Sequence, residues 1–558
     1  MAALSARRRG VVGCCCSIDD AKHSSRLAES APNRIEKSLS HTQPADQNSK
    51  EILNIKCTFN GFINTTESGV DPEQITIIQT PTEFYETLKS LFEVRYLMQI
   101  LRRCTDEMQE KVSKAQRRIY LSTLYIGKTE HEFISTIRNA LAKNPDLRVS
   151  FLTDSLRGTR ETPEASTASL LVPLITEFGP ERVEVRMYHT PNLTGLRKKY
   201  IPKRINEGWG LQHMKLYGVD DEIIMSGANL SSDYFSNRQD RYHLFHSKEL
   251  TEYFSKIHSG VASLSFDLQP STAPESGGYT MSWPSSNPAP SPLDSPSKYR
   301  DAASKHLSHF LLPSNSPKAL STTNTSTTTI YPILSLVPLL ATSTELPALT
   351  HILTSLARPP LQSSSWTFTA GYFNMTPSFR RMLLATHPVS GTVLTAHPHA
   401  NGFFGSKGVS GMLPAAYTHL AKQFLRKVRH EGLEGNVRLK EWQKGMVGEK
   451  EGWTYHAKGL WVTFPSTSTS DTAAAEEPSL TVVGSSNYTK RSYELDLEAN
   501  VVIATSDPGL RKRLGEEVKW LGEYAKEVDE SEFEKPERRV GMSVRLSMWL
   551  VRVLGGAL

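Results

Sequence analysis

The pattern of apolar and polar residues predicts alternating helices and strands along most of this chain. Apolar residues recur every three or four positions in the segments 83–115, 130–144 and 415–432, which predicts helices. Short apolar runs predict strands over 118–127, 148–154, 182–189, 365–373, 453–464 and 479–487. Strands that alternate with helices are typical of an α/β fold.

Residues 269–329 interrupt this pattern because proline, serine, glycine and threonine dominate them, apart from a short helical patch around 300–311. Such a composition is typical of a linker or a long insertion. We therefore predict two α/β halves of similar size, a first half over 49–268 and a second half over 330–535. The second half carries a further low-complexity loop at 465–479.

The two ends of the chain differ from the patterned part. Residues 1–48 begin with an arginine run, and their first acidic residue is Asp19, so we interpret them as a transit peptide and disordered leader. A merely disordered basic tail is the alternative. The end, 536–558, is apolar with interspersed arginines, which favours an interfacial membrane helix or a terminal helix docked on the protein.

Composition narrows the function classes. The chain has 558 residues and a formal net charge of +6, which is compatible with anionic substrates or an anionic membrane surface. Its five cysteines have neither the spacing of a zinc site nor that of a disulfide framework. No apolar run reaches the roughly 18 residues of a membrane-spanning helix.

A candidate catalytic motif lies in the first half. His213 and Lys215 are followed by Asp220, a strand-like run and then Asn229. One such motif is weak evidence, because a histidine two residues before a lysine arises often by chance in a chain with 17 histidines.

The second half repeats the motif. His456 and Lys458 are followed by a predicted strand and then by Ser485 and Asn487 in a Gly-Ser-Ser-Asn turn. Two copies in two α/β halves are hard to attribute to chance. Residues two apart on a strand share a face, so each histidine is expected to project beside its lysine.

This combination of side chains suits phosphoryl chemistry. Two strands that meet across a pseudo-twofold axis would place two imidazoles and two ammonium groups around one cavity. Lysines and asparagine amides stabilise charge on phosphate oxygens, while one imidazole attacks phosphorus and the other transfers a proton. No acidic cluster accompanies the motifs, so we expect neither a metal nor another cofactor.

Each histidine also needs an acceptor for its second ring nitrogen. Asp240 follows Asn229 by eleven residues, and Glu498 follows Asn487 by the same interval. This matched offset makes the two carboxylates the best candidates, with ordinary surface carboxylates as the alternative.

These residues resemble the phospholipase D superfamily, and within it the eukaryotic phosphatidylglycerophosphate synthase family. The resemblance covers about 50–265 and 330–525, with matching stretches at 154–160, 211–242, 455–461 and 483–500. The block 211–242 is far more specific than the histidine–lysine motifs alone. It implies two phospholipase D-like α/β sandwich halves related by a pseudo-twofold axis, with one active site at their interface.

The resemblance also implies an activity. A phosphatidyl group would pass from CDP-diacylglycerol to sn-glycerol 3-phosphate through a phosphatidyl-histidine, with release of cytidine monophosphate. His213 would be the nucleophile and His456 the general acid and base. The product leads to phosphatidylglycerol and cardiolipin, and the enzyme would be mitochondrial and peripheral on the inner membrane.

The chain departs from the superfamily motif at two places. The first turn reads Ser226-Gly-Ala-Asn, so Ser226 is not expected to act as Ser485 does. Thr463 stands where the second motif would carry an aspartate. That aspartate is usually structural in the superfamily, and the synthase family also lacks it.

Further basic residues are candidates for binding the acceptor phosphate or lipid head groups. Lys198 and Lys199 belong to a basic run just before the first motif, and Arg238 and Arg491 flank the two asparagine turns. For each of them taken singly, an ordinary solvated or structural charge is the favoured interpretation.

Three alternatives share these motifs. A phosphodiesterase acting on nucleic acid has the same kind of motifs, but no basic stripe with interleaved aromatics is evident, so we expect no nucleic-acid partner. A relative that uses another alcohol acceptor is the second alternative. A catalytically dead scaffold is the third, and the two intact motifs argue against it.

Overall fold

The computed structural model describes residues 68–102, 117–160, 165–202, 205–273, 277–311, 327–465 and 477–553. The predicted leader, most of the loop 465–479 and the last five residues lie outside the described residues, so the predictions for them stay predictions.

The strands of the chain form two large sheets and one small one. The first half contributes β1 Ser68–Gly69, β2 Ile75–Ile78, β3 Arg118–Ser122, β4 Arg148–Asp154, β5 Val183–Tyr188, β6 Leu216–Val219, β7 Glu222–Ser226, β8 Arg238–Gln239, β9 Tyr242–Phe245, β10 Phe266–Pro270 and β11 Tyr279–Ser282. The second half contributes β12 Thr328–Ser335, β13 Ser365–Ala370, β14 Gly391–Ala396, β15 Val437–Trp442, β16 Thr454–Tyr455, β17 Lys458–Thr463, β18 Leu480–Gly484, β19 Glu498–Thr505 and β20 Ala525–Val528.

The two large sheets have the same internal order, which makes the repeat visible. The first runs β11-β10-β5-β4-β3-β6-β7-β9-β2, and the second, from its opposite edge, runs β20-β15-β14-β13-β17-β18-β19-β12-β1. In each sheet three parallel strands are followed by antiparallel ones. The prediction of two α/β halves is thus confirmed.

Helices cover these sheets. They are α1 Pro81–Arg102, α2 His131–Lys143, α3 Ser155–Gly158, α4 Thr167–Phe178, α5 Gly195–Tyr200, α6 Ser232–Ser236, α7 Lys248–Ala262, α8 Pro296–Leu311, α9 Glu345–Leu356, α10 Pro377–Leu384, α11 Leu413–His430, α12 Lys490–Glu494, α13 Pro508–Leu521 and α14 Met542–Val553. Short 3-10 turns occur at Pro72–Gln74, Asn206–Trp209, Pro398–Ala400, Gly408–Met412, Glu532–Glu534 and Pro536–Arg538.

Three apolar clusters hold this arrangement together. Helices α1, α2 and α4 pack on the outer face of the first sheet, and α9, α10 and α11 pack on the outer face of the second. A third cluster joins apolar side chains of both sheets to α7, α8 and α13. The two sheets therefore share a core, and the site described below lies where they meet.

Part of the proline- and serine-rich segment contributes to this fold. Strand β11 extends the first sheet beside β10, and α8 packs on α7 through buried Tyr299, Ala303 and Leu307. The hydroxyl of Tyr299 donates to the carbonyl of Leu264 at 2.8 Å. Composition indicated a linker here because the apolar positions of α8 are few and widely spaced.

Candidate active site

The two histidine–lysine motifs occupy equivalent places in the two halves. His213 and Lys215 lie immediately before β6, and His456 lies two residues before β17, which begins at Lys458. The predicted strand 453–464 is therefore interrupted at its histidine. All four side chains are buried.

Backbone hydrogen bonds tie each motif to the opposite half. The N–H of His213 donates to the carbonyl of Leu497 at 3.0 Å, and the N–H of His456 donates to the carbonyl of Gln239 at 2.8 Å. Gln239 belongs to the first half and Leu497 to the second. These matching bonds bring both motifs to one site between the halves.

Two buried carboxylates orient the histidines, and they cross between the halves. Nδ1 of His213 lies 3.0 Å from both carboxylate oxygens of Glu498. Nδ1 of His456 lies 2.7 Å from Oδ2 of Asp240. The carboxylate that orients each histidine thus comes from the other half. When Nδ1–H donates to the carboxylate, Nε2 keeps its lone pair for chemistry.

The electrostatic environment favours neutral imidazoles beside ionised carboxylates. Burial lowers the pKa of both histidines, most strongly that of His456, where Lys458 adds to the effect. Burial by itself raises the pKa of Asp240 and Glu498. The charge of Lys458 lowers the pKa of Asp240 below its ordinary value, and the hydrogen bond from His213 together with the charge of Lys215 does the same for Glu498. A neutral imidazole is the form that can attack phosphorus or accept a proton.

The two lysines are held by their own motifs. Nζ of Lys215 donates to the carbonyl of His213 at 2.6 Å, and Nζ of Lys458 donates to that of His456 at 2.7 Å. Burial lowers the pKa of Lys215 to about 7 and also lowers that of Lys458. A bound phosphate would favour the charged form of both amines, because an opposite charge offsets the cost of burial.

The asparagine turns differ at the position next to the carboxylates. Oγ of Ser485 donates to Oε2 of Glu498 at 2.5 Å. Gly227 occupies the equivalent position of the first turn, where a Cβ would lie 2.2 Å from Nζ of Lys458. That space holds the Lys458 ammonium, whose Nζ lies 3.1 Å from Oδ2 of Asp240. A Cβ at Gly227 would displace the Lys458 amine from Asp240, which explains the glycine in the first turn. Ser226 instead donates to a backbone carbonyl.

Polar and aromatic side chains surround His456. Asn229 is buried, and its Nδ2 donates to the hydroxyl of Tyr234 at 3.3 Å, whereas its Oδ1 has no hydrogen-bond partner among the described residues. The rings of Tyr234 and Tyr372 stand edge-on to the imidazole of His456, with centroids 5.3 and 4.9 Å away. The half-buried Asn487 lies at the matching point of the other turn.

The structure does not bring Asp220 to this cluster. Asp220 lies in the turn between β6 and β7, at the opposite end of β6 from His213. Its Oδ1 accepts backbone hydrogen bonds from Arg117 and Arg118 at 2.8 and 3.1 Å. These contacts hold the start of β3, so Asp220 supports the sheet rather than the chemistry.

An arginine lies near each of the two histidines. Nε of Arg238 donates to Oγ1 of Thr454 at 2.9 Å, and the positive charge of Arg238 contributes to the low pKa of His456. Arg491 lies on the His213 side, where its guanidinium donates to Asp496 at 3.1 Å, while its buried Nε finds no partner in the described part of the chain. Both are placed to attract an anion. Lys198 and Lys199, by contrast, lie exposed on α5.

Sequence reasoning missed three residues near the site. Tyr234 and Tyr372 carry no motif, although Tyr372 closes a predicted strand just as Tyr125 does in the first half. Glu345, at the start of α9, is buried near Glu498, and burial together with the negative charge of Glu498 raises its pKa. Its carboxyl oxygens face Ser486 and Asn500 without a hydrogen bond of ordinary geometry. A glutamate that begins a helix gives no sequence signal of burial.

Within the described ranges, no group of histidine, cysteine, aspartate and glutamate side chains is arranged to hold a metal ion. Nor do those ranges contain a helix long and apolar enough to cross a bilayer.

Several proteins resemble this chain over most of its length, although no protein-family model matches it. The CDP-diacylglycerol–glycerol-3-phosphate 3-phosphatidyltransferase of Saccharomyces cerevisiae is 42% identical over 480 residues, 85% of this chain and 87% of its own. That of Schizosaccharomyces pombe is 40% identical, with 84% and 92% covered. The mouse relative, whose name includes "mitochondrial", is 32% identical, with 87% and 84% covered.

Among solved structures, the phosphatidylserine synthase of Haemophilus influenzae has a similar fold. Its TM-score is 0.62 at 18% sequence identity, and the match covers 90% of this chain and 98% of the synthase. At this identity the match concerns the fold alone, and it confirms the predicted two-half architecture.

Proposed function

Because this chain belongs to the CDP-diacylglycerol–glycerol-3-phosphate 3-phosphatidyltransferase family, we propose that it transfers the phosphatidyl group of CDP-diacylglycerol to sn-glycerol 3-phosphate. Cytidine monophosphate is the leaving group and phosphatidylglycerophosphate the product. The product is the precursor of phosphatidylglycerol and cardiolipin. The observation that carries this proposal is the pair of buried imidazoles, each with Nδ1 against a carboxylate of the opposite half.

The first step is attack by one imidazole. Nε2 of His213 attacks the phosphorus that bears the diacylglycerol, and a P–N bond forms as the bond to cytidine monophosphate breaks. The bonding electron pair leaves with the nucleotide phosphate, whose last pKa of about 6 makes it a good leaving group with little need for a proton. Glu498 stabilises the positive charge that develops on His213.

The second step needs a base. The primary hydroxyl of glycerol 3-phosphate is a weak acid, so Nε2 of His456 removes its proton as the oxygen attacks phosphorus. The P–N bond breaks, its electron pair returns to His213, and the proton on His456 passes to solvent. Asp240 stabilises the imidazolium that His456 becomes.

The amines and amides complete the site. Lys215 and Lys458 supply positive charge to the non-bridging phosphate oxygens, and Asn229 and Asn487 supply neutral donors. Arg238 and Arg491 are assigned to the phosphate of the acceptor or of the nucleotide. No step uses a metal or another cofactor.

We place the reaction in the mitochondrion, peripheral on the inner membrane. The arginine-rich, acid-poor beginning of the chain and the mitochondrial designation of the mouse relative support this location. Both acyl chains of the donor lipid belong in a bilayer, so the protein has to work at a membrane surface.

A single-turnover experiment tests the two roles separately, since only the second step needs the base. Purified protein in EDTA is mixed with CDP-diacylglycerol alone, and released cytidine monophosphate is counted per enzyme. We expect His456→Ala to release about one equivalent, retain phosphatidyl-enzyme and form no phosphatidylglycerophosphate when the acceptor is added. His213→Ala should release none.

His246→Ala is the matched control, because His246 pairs with Glu222 at 2.7 Å in a partly exposed position outside the site. The opposite pattern in the two variants would exchange their roles. Release and transfer by both would refute the site. Transfer only to another alcohol, such as serine or glycerol, would refute the acceptor while leaving the site intact.

A further inference from the structure

We propose that two exposed segments, helix α5 with the nearby residue Ile205 and helix α14, form a surface that seats this protein on an anionic lipid bilayer. The inference deepens the proposed function by assigning the residues that contact the membrane, and it rests on that function for the identity of the lipid substrate.

Exposed large apolar side chains concentrate in these two segments. Leu196 is 73% exposed and Met542 is 85% exposed. The other exposed members are Tyr200 and Ile205 in the first segment and Leu546, Trp549 and Leu550 in α14. Elsewhere in the described chain such side chains are scattered singly. Clustered exposed apolar surface marks a contact with a partner or a membrane.

Helix α14 has two apolar faces. Val544 and Met548 are buried one turn apart and pack against Ala416 of α11. Leu546 and Trp549 project into solvent on the remaining surface together with Met542. Docking on α11 therefore already buries one face, and no described part of the chain covers the second apolar face. Tryptophan favours the interface between lipid and water.

The charge of both segments selects an anionic surface. Arg197, Lys198 and Lys199 are exposed among the apolar residues of α5, and Arg545 is exposed on α14. The sequence has no acidic residue from 191 to 206 and none after Glu537. Basic residues beside interfacial apolar ones add electrostatic attraction to anionic head groups.

Both segments adjoin the catalytic site. Helix α5 follows β5, and the side chains of Thr190 and Asn192, just before α5, donate to the carbonyl of Trp209. His213 follows Trp209 by only four residues.

Helix α14 approaches the site from the second half. Oγ of Ser547 lies 3.7 Å from the sulfur of Met412, in the loop that precedes α11. The same loop carries Phe403, whose ring contacts Tyr372 with centroids 5.2 Å apart, and Tyr372 contacts His456. A bilayer against both segments would therefore lie beside the histidines, where a donor lipid can present its phosphate while its acyl chains stay in the membrane.

Vesicle co-sedimentation of the full chain tests this surface. The vesicles are phosphatidylcholine alone or phosphatidylcholine with 30% phosphatidylglycerol, a composition we choose for its charge. The double variants Leu546→Asp/Trp549→Asp and Leu196→Asp/Tyr200→Asp should each lower the partition coefficient on anionic vesicles about tenfold or more. Lys198→Glu/Lys199→Glu should remove the preference for anionic over neutral vesicles. Circular dichroism and thermal unfolding check that each variant is folded.

Val389→Asp is the matched control. Val389 is 61% exposed, but it lies just before β14, at the end of the strands that is far from the histidines. It should bind as the wild type does. In the two aspartate double variants, turnover on vesicles should also fall relative to turnover on donor lipid dispersed in detergent.

His213→Ala keeps this test separate from the proposed function, because it should bind vesicles normally whatever reaction the site performs. Unchanged vesicle binding in both aspartate double variants would overturn the surface. Sedimentation velocity would also overturn it if the wild type forms a dimer that the α14 variant dissociates without any change in vesicle binding.

Discussion

At the scale of single residues, the two halves differ in the strand that follows each asparagine turn. Asn500 and Tyr242 each lie thirteen residues after their turn asparagine. Tyr242 stacks on Phe84 with centroids 4.5 Å apart, whereas Asn500 faces the buried Glu345. A polar pair therefore replaces an aromatic pair on the side of the site that holds Glu498.

Glu345 should make stability depend on pH. Burial raises its pKa from 4.5 to about 8, so the folded state binds a proton more tightly than the unfolded state. The stability it contributes is fully present below pH 4.5 and is lost as the pH rises through about 8, at up to about 1.4 kcal/mol per pH unit. Glu345→Gln removes the titrating group.

Urea denaturation of wild type and Glu345→Gln between pH 5 and 8 measures this effect. As the pH rises from 5 to 8, the free energy of unfolding of the wild type should fall by up to about 4 kcal/mol relative to that of the variant. Parallel profiles would show that Glu345 does not titrate there.

The crossed pairing of carboxylates and histidines leads to a prediction about kcat. Glu498→Gln presents an amide to Nδ1 of His213 and should lower kcat about 10²- to 10⁴-fold without loss of fold, because the imidazole loses its orientation and its counter-charge. Asp240→Asn should act similarly on His456. Glu222→Gln, at the surface pair with His246, is the control and should leave kcat near that of the wild type.

At the scale of elements, the apolar periodicity of the sequence predicted helices such as α2 and α11 and strands such as β3, β4 and β5, because these elements bury one face, and it gave no prediction for many of the others. Helix α11 and strands β4 and β5 each present a regular apolar face to a core, so their pattern is strong. The two histidines were predicted to lie within strands, but each lies just before one. At these positions the backbone bonds with Leu497 and Gln239 of the opposite half instead of pairing within its own sheet.

Helix α8 is the element that composition obscured, and it should matter for stability. Leu307 is fully buried against the core shared by both sheets. Leu307→Ala should therefore lower the free energy of unfolding by about 2–5 kcal/mol, the usual range for a leucine cavity. Urea denaturation beside the exposed control Lys305→Ala measures this loss. A loss no larger than that of the control would mean that the packing of α8 does not stabilise the folded chain.

At the scale of the whole molecule, a buried ion pair joins the halves near the site. The guanidinium of Arg241 donates to both carboxylate oxygens of Glu517 at 2.9 and 2.8 Å, and also to the carbonyl of Val482. His243 and Trp461 contact the same carboxylate at 2.9 Å. This network couples the first half to α13 and β17 of the second.

Breaking one partner of that pair should cost more than removing both. Arg241→Met leaves Glu517 buried without its main counter-charge, which should cost about 3–5 kcal/mol of unfolding free energy. Arg241→Met/Glu517→Met should recover part of that loss. Thermal and urea unfolding of the four proteins of this cycle measure the coupling, and a double variant less stable than the single one would contradict it.

The sequence alone predicted the repeat, the two motifs and the two carboxylates, because spacing along the chain records them. It did not predict which carboxylate serves which histidine, since that depends on how two sheets meet. The interval of eleven residues is equally compatible with Asp240 serving its own half. The rings around His456 were also missed, because Tyr234 and Tyr372 are far apart in sequence.

The pairing of each histidine with a carboxylate of the other half has a genetic consequence. A chain changed at His213 and a chain changed at His456 each lack one member of the catalytic pair, and both intact members have to reside in one polypeptide. Co-expression of the two altered alleles should therefore fail to restore growth where the enzyme is required. Loss-of-function alleles from both halves of the gene should form a single complementation group.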